Sequence, residues 1–174
     1  PVGRLLDIGT GTGRMLEVFG PRALRAQGLD QSSEMLAVAR ANLKKSGIDN
    51  WAVRKGDMYQ LPFQAGNFDT VTIHQVLHFA DNPGRVVAEA ARVLAPRGHL
   101  LIADFAPHDR EELRRDHKHR RLGFADQEVT AWFRAFALVP GEIVHLPGAP
   151  LTVTLWSATA PAGSRRKENP SLVR

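Results

Sequence analysis

Residues 5–15 read LLDIGTGTGRM, an apolar run interrupted by Asp7 and followed by Gly9, Gly11 and Gly13 in alternate positions. An apolar run that enters glycines and then a helix-compatible segment predicts a buried strand, a tight turn and a helix start. Glycine lets backbone approach a ligand closely, and the first turn of a helix leaves N–H groups free, so such a turn accepts a polar or anionic group. The dinucleotide fingerprint GxGxxG would place its third glycine at position 14, where this chain has Arg14. The spacing therefore suits a nucleotide-like ligand without matching the dinucleotide pattern.

Outward from this turn, strands and helices alternate. RLLDIG (4–9) is the first strand, with a helix over about 12–20 that aligns Met15, Leu16 and Phe19. LRAQGLD (24–30) is a second strand ending on Asp30. Ser32 or Ser33 caps the next helix, whose Met35, Ala39 and Leu43 recur every four residues until Gly47. WAVRKGD (51–57) and FDTVTIHQ (68–75) are the third and fourth strands. Asn82 and Pro83 open a helix that APRG (95–98) stops, and HLLIADF (99–105) is the fifth strand. DREELRRDHKHRR (109–121) is strongly charged and partly helical, and ADQEVTAWFRAFAL (125–138) is amphipathic. GEIVHLP and LTVTLWSATA, joined only by GAP, make an antiparallel hairpin, because a parallel crossover needs a longer link. The pattern predicts an α/β fold, a doubly wound and mainly parallel sheet with an antiparallel C-terminal hairpin at one edge.

At 174 residues the chain suits a single domain, read as residues 1–160 with a basic tail over 161–174. Its formal charge is +5, of which the tail carries +3 through Arg165, Arg166, Lys167 and Arg174 against Glu168. The fold itself is left with too little charge to read as a nucleic-acid surface. No apolar run approaches the ~20 residues that span a bilayer. With no cysteine there is no thiol nucleophile and no Cys-ligated zinc. A cytoplasmic protein without membrane or direct nucleic-acid contact is the expectation.

Two acids sharpen the ligand. Asp30 ends the second strand beside the glycine turn, where a carboxylate can accept from both hydroxyls of a ribose. Asp57 ends the third strand and precedes Met58, a pairing suited to an adenine amino group and ring face. Each acid alone could equally be a cap or turn residue. On consecutive strand ends the three features describe a site for an adenosine that carries something other than a pyrophosphate.

LLDIGTGTGR, GLDQSSEML, GDMYQLPF, FDTVTIHQVLHF and VLAPRGHLLIADF resemble, in order and spacing, the class I S-adenosylmethionine-dependent methyltransferases. The resemblance covers about residues 4–160 and implies a Rossmann-like methyltransferase fold with a seven-stranded sheet. It implies that Asp7, Gly9, Thr10, Gly11 and Gly13 surround the methionine portion of the cofactor. Asp30 would bind its ribose and Asp57 and Met58 its adenine, with Gln31 and Met35 alongside, and His74 and Gln75 near the sulfonium. Residues 105–138 resemble the methyltransferase domain found behind an arsenic-repressor-type winged helix. That implies a possible N-terminal winged-helix partner and a chain that is a fragment of something longer, since the family pattern has helices or a domain before the first strand.

Methyl transfer to a small-molecule acceptor needs in-line positioning, and for some acceptors a base. His74 and His78 flank QVL at the mouth of the fourth strand and are either bases or packing residues. His117 is a third candidate. His108, Arg114 and Arg120, with His119 and Arg121, lie on either a solvated helix or a lid whose cations bind an anionic acceptor. The two-residue spacing of His117 and His119 puts them on different sides of a helix, so no metal site is expected. The rival functions are a cofactor-sensing domain of a regulator, without turnover, and a nicotinamide oxidoreductase.

Overall fold

A computed structural model describes residues 1–163; the remainder of the predicted tail lies outside the described residues. The strands are β1 (Gly3–Ile8), β2 (Ala23–Asp30), β3 (Trp51–Lys55), β4 (Phe68–His74), β5 (Leu94–Phe105), β6 (Val139–Leu146) and β7 (Val153–Thr159). The helices are α1 (Arg14–Phe19), α2 (Ser33–Lys45), α3 (Pro83–Val93), α4 (Glu112–His117) and α5 (Asp126–Ala135). One seven-stranded sheet runs β3-β2-β1-β4-β5-β7-β6, parallel except that β7 is antiparallel to both β5 and β6. This is the doubly wound sheet with an antiparallel edge that the alternation predicts.

Strand order reverses at β1, which pairs with β2 on one side and β4 on the other. The connections leaving β1 and β4 diverge to opposite faces there, which opens a crevice at the carboxyl end of the sheet. Side chains alternate across β1. Leu6 and Ile8 join a core with Val71, Ile73, Ile102 and Trp156 beneath α3 and α5, whereas Leu5 packs with Leu16, Ala26 and Leu43 beneath α1 and α2. Trp156 is fully buried and donates its indole N–H to Asp126 at 2.9 Å, which ties α5 to the sheet.

Three boundaries differ from expectation, each for a local reason. Alpha-1 begins at Arg14, because Gly9, Gly11 and Gly13 all have left-handed φ values (71°, 52° and 86°) that no helix admits. Residues 95–98 do not merely stop α3. They open β5, where a register shift between Phe68 and Thr70 accommodates Pro96 and the left-handed Arg97. Alpha-5 stops at Ala135, with Ala137 at φ 58° turning the chain so that Leu138 returns to the core.

Candidate functional site

The glycine turn is anchored to β2 by its backbone. Gly9 and Thr10 both donate to the Leu29 carbonyl, at 2.8 and 3.0 Å, and Gly13 donates to Thr10. A side chain at Gly28 would meet the Thr10 side chain at 2.8 Å, and one at Gly9 would meet Val76 at 2.6 Å. The turn can therefore lie flat between β2 and the exit of β4 only as glycine. Asp30 braces its outer edge: one oxygen accepts from Gly11 N–H at 2.8 Å and the other from Ser32 N–H at 2.9 Å. A carboxylate oxygen offers two lone pairs, so each retains one for a ligand hydroxyl.

A cleft of about 200 Å³ opens beside this brace. Gly9, Asp30, Gln31 and Gly56 edge it, and Leu29, Met58, Val76 and Phe79 supply apolar walls. Apolar walls with an acid at the rim fit a flat aromatic base joined to a hydroxylated sugar. These residues fit the adenosine portion of S-adenosylmethionine. The Thr10 hydroxyl is buried next to the Asp7 carboxyl and does not line the cleft.

Other predicted cofactor residues fall elsewhere. Asp7 is 1% exposed and lies beneath the turn, where the Thr72 hydroxyl donates to it at 2.6 Å. Burial pushes its carboxyl up to about 6, against the opposing hydrogen bonds from Thr72 and Thr10. Asp7 supports the turn from below and does not border the cleft. Gly11 and Gly13 shape the turn without lining the cleft, and the Gly13 carbonyl starts α1 by accepting from Glu17 N–H. Asp57 is exposed, accepts from Tyr59 N–H at 2.8 Å, and edges a shallow hollow that shares Gln31 and Gly56 with the cleft. Met35 is 47% exposed and does not line the cleft. Ser32 caps α2 through Met35 N–H, so position 35 falls on the helix's solvent side.

His74 and His78 separate at the exit of β4. Gln75 adopts φ 51°, and residues 77–79 form a single 3₁₀ turn, so the two histidines do not share a helical face. His74 is half-buried. Its imidazole is held below the ordinary histidine pKa by burial, partly offset by Asp104. His78 is 3% exposed, and its Nδ1 lies 2.8 Å from Oδ1 of the fully buried Asp104. The His78 and Phe105 N–H groups also donate to Asp104, at 3.3 and 2.8 Å. The His119 ring lies tilted against the His78 ring at 4.1 Å, and its Nδ1 is buried without a partner, as is Nε2 of His108. Burial lowers the pKa of the His108 and His119 rings, so these two imidazoles are neutral at pH 7. Among the described residues no group of three metal-ligating side chains is arranged to hold an ion.

The lid candidates divide. Arg120 and Arg121 donate their backbone N–H groups to the His78 carbonyl, at 2.8 and 3.1 Å, which ties the segment after α4 to the β4 exit. Their side chains pair with Asp81 and Glu128, and Arg114 pairs with Glu111. Each of these three cations is thus paired with an acid on the surface. His117 is exposed, with its ring 6.5 Å from that of His119. Sequence reasoning missed Asp104, whose only signal was an acid inside the otherwise apolar LLIADF. It also missed Val76 and Phe79, which approach the glycine turn only through the fold.

His74 and Gln75 border a second, apolar pocket of about 460 Å³ on the α1 side of the sheet. No helix among the described residues is long and apolar enough to cross a membrane.

A model of the family described as a methyltransferase domain matches residues 6–102. An uncharacterized methyltransferase of Bacillus subtilis, YcgJ, is 35% identical over 107 residues, covering 61% of this chain and 42% of that protein. A demethylmenaquinone methyltransferase of Thermus thermophilus is 34% identical over 152 residues, covering 83% of this chain and 67% of that protein. The chain spans about half the length of the first curated relatives it matches. Among solved structures, Bacillus subtilis YcgJ superposes with a TM-score of 0.80 at 24% identity over 92% of each chain. An S-adenosylmethionine-dependent methyltransferase from Mesorhizobium loti gives 0.77 at 18% identity, covering 91% of this chain and 92% of that one. These last two likenesses are of fold.

Proposed function

Because the chain belongs to the class I S-adenosylmethionine-dependent methyltransferases, we propose that it transfers a methyl group to a small-molecule acceptor in the cytoplasm. The observation that carries this reading is the Asp30 brace at the rim of an apolar cleft. Asp30 would hold the ribose hydroxyls there, Met58 and Phe79 would flank the adenine, and Asp57 would approach its amino group from the adjoining hollow. The turn's backbone would serve the amino-acid end. Bound in this way, the cofactor supplies a methyl group already activated on a positively charged sulfur, whose release leaves a neutral thioether.

What remains for the protein is to align the acceptor, exclude water and remove a proton where the acceptor carries one. His74 suits the proton removal, being neutral at pH 7, half-exposed and on the border of the pocket next to the cleft. His78 is a positioning residue. Asp104 fixes its ring, and its carbonyl holds the backbone of residues 120 and 121 against the β4 exit. His117, on the exposed rim, has no part in this reading.

Calorimetric titration with S-adenosylhomocysteine tests the cofactor site. Micromolar or tighter binding with no response to NADH is the expected result, and the reverse would overturn the reading. Incubating the protein with methyl-labelled S-adenosylmethionine and a small-molecule extract then separates an enzyme from a sensor. Intact binding with no labelled product favours the sensor.

A further inference from the structure

Residues 106–123 leave the sheet after β5 and return to it before α5 as a loop with a pinched base. Phe124 N–H donates to the Phe105 carbonyl at 2.9 Å, His108 N–H to Leu122 at 3.1 Å, and Ala106 N–H to Thr152 at 3.0 Å. Gly123 closes the base at φ 82°, where a side chain would strike the Ala106 carbonyl. Beyond that base the loop is nearly all surface. Alpha-4 buries none of its residues, and between Ala106 and Gly123 only His119 is buried. The main-chain bonds to His78 and the paired arginines aside, one buried side chain anchors the tip, and it is titratable.

His119 is 9% exposed and docks against three aromatic rings. It lies 4.1 Å from His78, 5.3 Å from Phe79, edge-on, and 6.0 Å from Phe105. Phe79 in turn packs 4.1 Å from the His78 ring and walls the cofactor cleft. The loop thus reaches the adenosine site through a single intermediary, the Phe79 ring. A charge on His119 is opposed by this setting. Burial disfavours it most, and the His78, His108 and His117 rings add to that, while Asp104, already bonded to His78, acts the other way. Arg120, its chain neighbour, is paired with Asp81.

We infer that His119 is a positioning residue for the cofactor: its neutral ring latches residues 106–123 against the β4 exit and steadies Phe79 on the adenosine, and a proton on it releases the loop. The inference rests on the transferase reading above, which gives the cleft its ligand. An undocked His119 takes its proton near the ordinary 6.5, and the docked ring does so only at lower pH. Docking therefore weakens as pH falls below about 6.5, by roughly tenfold at most for each unit. Because loop and cofactor share Phe79, each strengthens the other's hold by the same factor.

Hydrogen exchange at the Arg120 and Arg121 amides reads the latch directly, since both donate to the His78 carbonyl. In the wild type their protection, corrected for the intrinsic exchange rate, should fall about five- to tenfold between pH 7.5 and 5.5. Saturating S-adenosylhomocysteine at pH 7.5 should raise it by about twofold or more. His119→Phe keeps a ring that cannot take a proton, and His119→Leu serves where phenylalanine is too large for the site. In either variant the fall with pH should shrink to about twofold or less. Asp7 and His108 titrate as well, but both remain in the variants, so the difference from the wild type belongs to His119. Wild-type protection that is flat over this range, or that falls as steeply in the variants, overturns the inference. So does S-adenosylhomocysteine that binds and leaves the two amides unchanged, since the loop is then uncoupled from the cleft. If S-adenosylhomocysteine does not bind at pH 7.5, the transferase reading falls, and the link from latch to cofactor falls with it.

Discussion

Replacing Asp30 perturbs ligand binding and loop support together, and each has its own readout. In Asp30→Ala, the Gly11 and Ser32 N–H groups lose acceptors at 2.8 and 2.9 Å, and a ligand ribose loses its charged partner. Hydrogen bonds to charged groups contribute about 1.5–3 kcal/mol each. The two backbone donors are partly solvated and recover some of this from water, so the apo protein should lose about 2 kcal/mol of unfolding free energy. The ribose contacts add on the order of 1.5–3 kcal/mol to the cofactor's binding, which is roughly a 10- to 150-fold rise in Kd. Asp30→Asn keeps one acceptor oxygen but turns an NH₂ toward one of two donors, so it should fall between the wild type and Asp30→Ala in both measurements. Urea unfolding reads the first quantity and calorimetry with S-adenosylhomocysteine the second, at one fixed salt concentration. An Asp30→Ala protein that binds within twofold of the wild type would refute the assignment of Asp30 to the ribose. Unchanged stability would refute the brace.

Asp7 offers a pH signature. Its carboxyl sits near 6 when folded against an ordinary 3.8, so the folded state binds the extra proton between those values and pays for ionisation above them. That penalty is absent below about pH 4 and complete above about pH 6 to 7, and amounts to about 3 kcal/mol at ~1.4 kcal/mol per unit. Unfolding of Asp7→Asn across pH 4 to 7 should therefore show the variant gaining on the wild type as pH rises; a constant difference contradicts the burial argument. The lowered carboxyls of Asp69 and Glu89 act in the opposite sense, losing stability as pH falls, but they do so equally in both proteins. Asp104→Ala strands His78 Nδ1 and the buried His78 N–H, with the part-buried Phe105 N–H, and should cost about 3 kcal/mol or more in thermal or urea unfolding. Arg120→Ala should cost less than about 0.5 kcal/mol, because its pair with Asp81 is exposed at 3.4 Å. A loss above 1 kcal/mol would mean that this pair does more than the distance suggests.

Much of the cofactor end was legible because its signals are local. Glycines at 9, 11 and 13 demand left-handed backbone whatever surrounds them, and an acid closing β2 must emerge beside the turn that leaves β1. The start of β5 was obscured by Pro96 and Gly98, which read as a stop but here occupy a bulge. Asp104 and His78 lie 26 residues apart, and only the pairing of β4 with β5 brings them together. The charge pattern of residues 109–121 suggested free cations. It could not show that Arg114, Arg120 and Arg121 each have an acidic neighbour, two of which come from other segments.

Residues 120–121 hold the β4 exit chiefly through main-chain N–H groups, the Arg120 side chain adding only an exposed pair with Asp81. Any residue except proline can supply those donors, so these two positions could change almost freely without loosening their hold on the exit of β4. A scaffold with such a tether can trade one clientele for another by drift in this stretch while its cofactor machinery stays fixed.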